Sequence, residues 1–582
     1  MKRVLTLIVA ALLVSGAAAQ SLRSLLPPDA VAVIGVQGLS QQQAKLQPFI
    51  DEFNRLGVAD AFQAAFASTE KSAEKSANVP NLTQMPKELE GLSLLDVLGN
   101  EAYLAVSVNQ TNPLPAVTLV ARVDAKAQQA AAKLIQDQAA NSGVQRLTEG
   151  KLDFYVETVD DGNGGKTTVA YAQDGALVVI SSNPDVLRGV LRRQQGSSEP
   201  AFTDQPGYKS TLAQLGNGQL VTYIDPAPAG SLLKPILEAQ SMDALSTRLT
   251  YALTTFGVSA HVTRLTQNGF EGQGLQQLDG SGKDVALYTM LGSDAAASTD
   301  ALGFVPPNAL SVGSSAIAIT DWWNYLGDLV TSVPQLGVSD LDQFVQGMVG
   351  IDLRTDLFDW AGHNVATISM PASSQAAQQP GMPNPNLLGS SVFVLQSKDD
   401  AAATKGLADL FSKLAAQLAS FTNPNGKAPP PQPSTHQAGG LSVTSLSMAP
   451  GVTVSYTVTG GQAFIATSGD ALDAVLTARQ HAGKLPPKLA ALRSRIPDGA
   501  HSFSLTDSQA SMKNSSASLV TGLQTLAGIG GSQNLDMAKV TKATDALTKF
   551  LDFVAAKLGS AVSYTQVSNG KISSHSLSQV SW

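Results

Sequence analysis

Two stretches of the chain carry the same order of apolar and polar positions. VAYAQDGALVVISSNPDVLRGVL begins at Val169, VSYTVTGGQAFIATSGDALDAVL begins at Val454, and they align without a gap. They share Val169/Val454, Tyr171/Tyr456, Gly175/Gly460, Ile180/Ile465, Asp185/Asp470, Leu187/Leu472, Val190/Val475 and Leu191/Leu476. Each reads as strand, turn, strand and helix. The shared glycine predicts a turn whose backbone takes a positive φ, which a glycine adopts at no steric cost.

Further pairs extend the pattern to both halves of the chain. PPDAVAVIGV from Pro27 answers PPNALSVGSS from Pro306, each a turn feeding an extended run. LDVLGNEAYLAVSV around Gly99 answers FDWAGHNVATISM around Gly362. VTLVARVDAKAQQAAAKL and VFVLQSKDDAAATKGLADL run a β-rich stretch into Asp124 or Asp400, which predicts helix N-caps there. LVTYID ends at Asp225 as HSFSLTD ends at Asp507. Leu245, Leu249, Leu253 and Phe256 form one helical stripe before Gly257, and Val540, Leu547, Leu551, Val554 and Leu558 another before Gly559. Both lead into alternating stretches joined by Asn268-Gly269 or Asn569-Gly570, a hairpin signal.

Paired positions lie about 280 residues apart, and the shorter spacing at the Gly99/Gly362 pair fits a polar insert, ASTEKSAEKSANVPNLTQMPKE, in the first copy. The spacing is too long for a solenoid of short repeats. The expectation is two tandem duplicated domains, residues 20–297 and 298–582, preceded by a leader of residues 1–19. Helices interrupt the strands and hairpins are present, so each domain is expected to be α+β, an antiparallel or mixed sheet with helices packed on one face.

LLPPDAVAVIGV, GIDLRTDLFDWAG, LQSKDDAAATKGL and YTVTGGQAFIATSGDAL together resemble a bacterial family of exported or membrane-anchored proteins catalogued as a domain of unknown function. The resemblance implies an extracytoplasmic location and carries over no catalytic residue.

The N-terminus agrees with export. Lys2 and Arg3 precede an apolar run from Val4 to Val14 and then Ala17-Ala18-Ala19, the three parts of a cleavable signal peptide, with cleavage expected near Ala19. The chain has no cysteine, so a lipid-bearing cysteine and disulfides are both ruled out. Its formal charge is −8, and losing Lys2 and Arg3 would make it two units more negative. An acidic chain without a Lys/Arg block suits neither nucleic acid nor an anionic membrane surface. No later apolar run reaches spanning length, so no transmembrane segment is expected in the mature chain.

Candidate chemistry is sparse. The six histidines, His261, His363, His436, His481, His501 and His575, show no zinc-helix spacing and no cysteine accompanies them, so no metal is expected. Ser68-Thr-Glu-Lys71 and Ser72-Ala-Glu-Lys75 spell a nucleophile motif of penicillin-recognising enzymes, but its companion elements are missing and a solvated helix is the better reading. Gly165-Lys166-Thr167 lacks the first glycine of a phosphate loop and leads into a β-rich run, so it reads as a hairpin tip, and no cofactor is expected. What remains is aromatic. All four tryptophans fall in the second copy, and the adjacent Trp322 and Trp323 must point about 100° apart on a helix. They are the residues expected to touch an apolar ligand or a partner, if they do not both serve the core.

No catalytic residue is identified. The expectation is therefore a non-enzymatic protein of the cell envelope, periplasmic or secreted, with a binding or structural role toward an unknown envelope partner. The alternative is a carrier of an apolar ligand or lipid, and the third reading is a hydrolase whose site the sequence does not display.

Overall fold

The computed structural model describes residues 21–62, 64, 101–109, 112–140, 143–160, 166–281, 284–371, 390–422, 432–449, 452–481, 484–516 and 537–582. The leader, the Ser-x-x-Lys stretch and residues 161–165 of the glycine-rich tip lie outside them.

Among these residues the β-rich runs form twenty strands of one sheet. The first are β1 (Ala30–Gln37), β2 (Glu101–Asn109), β3 (Asn112–Arg122), β4 (Val144–Glu149) and β5 (Leu152–Asp160). β6 (Lys166–Asp174), β7 (Leu177–Ser181), β8 (Leu220–Ile224), β9 (Val258–Thr266) and β10 (Gly269–Gln277) complete the first half. The second half supplies β11 (Ser311–Ala316), β12 (Ala361–Met370), β13 (Ser390–Ser397), β14 (Ser434–Ala438) and β15 (Leu441–Ala449). It ends with β16 (Val452–Thr459), β17 (Gln462–Ala466), β18 (Ser502–Asp507), β19 (Leu558–Ser568) and β20 (Lys571–Val580).

Every pairing is antiparallel. In the first half the order across the sheet is β4-β5-β6-β7-β3-β2-β1-β8-β9-β10. The second half follows the same order from β14 to β20. Tyr171 and Tyr456 stand at the same place in each order, opposite Ile180 and Ile465. The backbone N–H groups of Asp225 and Asp507 likewise donate to the carbonyls of Val31 and Leu310.

The halves meet edge to edge. β10 pairs with β20 from Gly269 opposite Gln579 to Gln277 opposite Lys571, so one sheet runs through both. Aromatic side chains close the seam at one end. Trp582 packs edge-on against Phe270 and Phe49, and its indole N–H donates to the Thr266 carbonyl at 3.0 Å. Phe49 and Phe53 belong to the helix Gln43–Arg55, and they meet Phe553 and Phe550 of the helix Met537–Lys557 from the other half. At the other end the Tyr325 hydroxyl donates to the buried Asp284 carboxylate at 2.7 Å.

The class is α+β with a large antiparallel sheet, but helices cover both faces rather than one. On the front face the helix Pro184–Gln194 sets Leu187, Val190 and Leu191 over Val120, Ala172 and Val179. On the back face the helix Ala125–Ala139 sets Leu134 and Ile135 over Leu119, Tyr171 and Ile180. β7 is buried at all five positions for this reason. The second half repeats the arrangement with the helix Gly469–Gln480 in front and Asp400–Thr422 behind.

Local signals hold with two corrections. Asp124 caps its helix by accepting from the N–H groups of Lys126 and Ala127. At the second site the capping carboxylate is Asp399, which accepts from Ala401 and Ala402 at 2.9 and 3.1 Å, because a cap must precede the helix by one residue to reach its second and third N–H groups. Asp400 instead accepts from the N–H of Gly461 at 3.0 Å. The last long helix ends at Lys557, and Leu558 and Gly559 already belong to β19, so Gly559 does not stop it.

Gly175 and Gly460 have φ of +54° and +60°. A side chain at Gly175 would meet nothing within 4 Å, so any loss there is a backbone cost. Changing either glycine to Val is expected to destabilise the protein by about 1–3 kcal/mol, measured as a shift of the unfolding midpoint. No shift at either position would contradict the requirement.

Candidate functional site

The two halves differ where β1 meets β2 and β11 meets β12 on the front face. In the first half Gly35 stands opposite Tyr103, whose other neighbour is Val120. In the second half Ser314 stands opposite Ala366, whose other neighbour is Val394. The strand positions correspond; the side chains do not.

In the first half the space is filled. The Tyr103 ring lies across Gly35 so closely that a Cβ at Gly35 would fall 2.0 Å from its Cδ1. The buried Arg23 guanidinium donates from Nε to the Tyr103 hydroxyl at 2.8 Å and from Nη2 to Gln37 at 2.9 Å. Glu101 accepts from the Ser21 hydroxyl, the Leu22 N–H and Gln37, which closes the plug. Burial raises the Tyr103 pKa far above that of a free phenol, so its hydroxyl stays protonated.

In the second half Ala366 leaves that space open. A cavity of about 290 Å³ is lined there by Ser298, Asp300, Ser314, Asn364, Gln396 and Ser397, with Gln462 and the Gly460-Gly461 turn beside them. Ala301, Ala366 and Val394 supply the apolar part of the wall. The strand register places these side chains: Ser314, Ala366 and Val394 stand in one row across β11, β12 and β13. The turn between β16 and β17 brings Gly460 and Gly461 to its rim.

Part of the lining is already held. Asn364 accepts from the Ser298 N–H at 2.7 Å and donates to Gln396 at 3.4 Å, which fixes the orientation of its carboxamide. Another group is not. The Ser314 hydroxyl is buried and has no hydrogen-bond partner among the described residues; the Ser397 hydroxyl also has none, but Ser397 pairs with Ala361 and its side chain faces the back of the sheet, away from the cavity. A buried polar group left in that state costs about 1–3 kcal/mol, and a molecule that hydrogen-bonds to it removes the cost. No Lys or Arg lines the cavity, and its one carboxylate, Asp300, is exposed. Arg479 lies nearby, over the rings of Phe304 and Phe464.

Trp322 and Trp323 lie apart from this cavity. The indole N–H of Trp323 donates to Asp342 at 2.6 Å, and its ring packs on Phe358. Trp322 turns away and meets Tyr325 edge-on. The GIDLRTDLFDWAG stretch serves packing: buried Asp356 pairs with Lys413 of the helix behind the sheet, and the Trp360 indole donates to the Asp356 carbonyl at 2.9 Å. Among the histidines, His436 faces the Asp473 carboxylate at 2.9 Å on the surface and His575 stacks on Tyr564. No group of three or more His, Cys, Asp or Glu side chains able to hold a metal occurs among the described residues. No helix among them is long and apolar enough to cross a membrane. A signal for the cavity was present in the aligned stretches, which set Gly35 against Ser314 and Tyr103 against Ala366.

A family model described as "Protein of unknown function (DUF3352)" matches residues 63–539. No curated protein matches the chain. Among solved structures, crystal form III of TP0453 is 11% identical over 47% of this chain and 86% of that chain, with a TM-score of 0.23. Crystal form IV of TP0453 is 10% identical over 44% and 79%, with a TM-score of 0.22. Likeness of that degree carries no argument about this chain.

Proposed function

We propose that this chain, which belongs to the DUF3352 family of proteins of unknown function, is an exported, non-enzymatic binding protein of the cell envelope. The observation that carries the reading is the cavity of the second half, with the buried, unpartnered Ser314 hydroxyl on its face of the sheet. Hydroxyls and carboxamides hold a ligand by hydrogen bonds and do not ionise near neutral pH; the one ionisable side chain in the lining, Asp300, is exposed. Lys2, Arg3, the following apolar run and Ala17-Ala18-Ala19 support export.

A second reading, a carrier of an apolar ligand, finds its support on the back face. Ile34, Leu220 and Ile224 are 55%, 42% and 51% exposed there, around Thr222, which is paired with Ile34. The cavity itself does not suit an acyl chain, which would leave its polar lining unpaired.

Native mass spectrometry of the full chain, expressed with its leader in a bacterial host and released from the envelope, tests the proposal. The expected result is a polypeptide that begins near Gln20 and carries a non-covalent small molecule, lost on denaturation. A chain that keeps Met1 overturns export, a bound lipid favours the second reading, and identical native and denatured masses count against a retained ligand.

A further inference from the structure

The first half shows what this fold does when the place beside β1 and β2 is not to be occupied: it fills the place with a tyrosine, cuts the facing residue back to glycine and pins the phenol with a buried arginine. None of the three is kept in the second half. Ser314 stands for Gly35 and Ala366 for Tyr103. Counting back from the paired prolines, Leu302 stands for Arg23. The opening therefore comes with polar groups of its own, chiefly Ser314, Asn364 and Gln462.

We propose that the cavity of the second half binds a small uncharged polyhydroxy molecule of monosaccharide size. The inference rests on the binding reading above and narrows it to a ligand class. Serine hydroxyls and carboxamides each donate and accept, which matches a ligand whose own hydroxyls do both. An anion would find no lysine or arginine in the lining; the guanidinium nearest to it, Arg479, lies over the Phe304 and Phe464 rings beside the Gly460 rim, and the carboxylate of Asp300 stands at the exposed side. A cation would have that single exposed carboxylate, screened by water, as its counter-charge. The walls of Ala301, Ala366 and Val394 offer a surface for the C–H face of a ring. The volume of about 290 Å³ holds about ten water molecules at ~30 Å³ each, the small end of the range for ligand sites.

The test is titration of the full mature chain by calorimetry and ligand-observed NMR. The probes are D-glucose, D-galactose and myo-inositol, with putrescine and acetate as charged comparisons. Ser314→Gly with Ala366→Phe would rebuild the plug of the first half; phenylalanine is chosen because Leu302 offers no partner for a phenol. Ser314→Ala and Gln462→Leu remove hydrogen-bonding groups without filling the space.

Saturable binding of at least one neutral probe is expected, abolished by the plugging pair and weakened about tenfold or more by Ser314→Ala or Gln462→Leu. Binding unchanged in all three variants would place the site elsewhere and overturn the proposal. Putrescine or acetate binding that depends on Ser314, with no neutral probe bound, would overturn the ligand class and leave the binding reading intact. No probe bound, together with native masses equal to the denatured masses for both the wild type and the plugged variant from the envelope, would overturn both.

Discussion

Expressed apart, residues 20–297 and 298–582 are expected to lose solubility or to pair with themselves, and expressed together to recover a soluble one-to-one complex. Two tandem domains would each be able to fold alone, and each half has its own buried clusters. The sheet alters the expectation. Separation would uncover β10 and β20 along the whole ladder from Gly269 to Gln277, leaving nine-residue edges. A long edge without a bulge or a proline is a template for another strand. The aromatic contacts of Trp582, Phe49 and Phe553 would be exposed by the same cut. Size-exclusion chromatography of each half alone and of both together reads the outcome. Two monomeric halves that each melt cooperatively would show that the seam joins cores already complete.

The second large effect is expected at Gly35. Gly35→Ser places a Cβ inside the Tyr103 ring, with buried neighbours on both sides, and is expected to destabilise the protein by about 3 kcal/mol. Tyr103→Ala is expected to cost about 3–5 kcal/mol through the cavity it opens, with a further loss because Arg23 Nε loses its acceptor. The double variant recreates the Ser314/Ala366 pair of the second half. Its loss should fall short of the sum of the single losses by about 1–3 kcal/mol, since the serine no longer meets a ring. Denaturant midpoints for the four proteins of the cycle give the coupling directly. Additive losses would mean that ring and strand do not compete for one space.

Much of the fold was legible because its causes are local. Gly175 and Gly460 mark turns because the backbone there takes a positive φ, and Asp124 caps a helix because its carboxylate reaches N–H groups two and three residues on. Other local signals carry more than one meaning. LVVIS is apolar at four successive positions, as a strand covered on both faces must be, yet we expected helices on one face. The tandem aspartates at 399 and 400 both suit a cap, and only the start of the helix distinguishes them.

By itself, then, the sequence determined which segments are strands and helices, where the turns fall and that the two halves share one order, since these follow from side-chain periodicity and from residues close in the chain. It also held both members of each critical pair, Gly35 with Tyr103 and Ser314 with Ala366. That they face each other was decided by the tertiary structure, because partners in a ladder are set by register across long separations, 68 residues of chain in one case and 52 in the other. The same reason hides the junction of β10 with β20. A strand that pairs within its own half and one that also pairs beyond it carry the same alternation, and only the assembled sheet shows which edge is free.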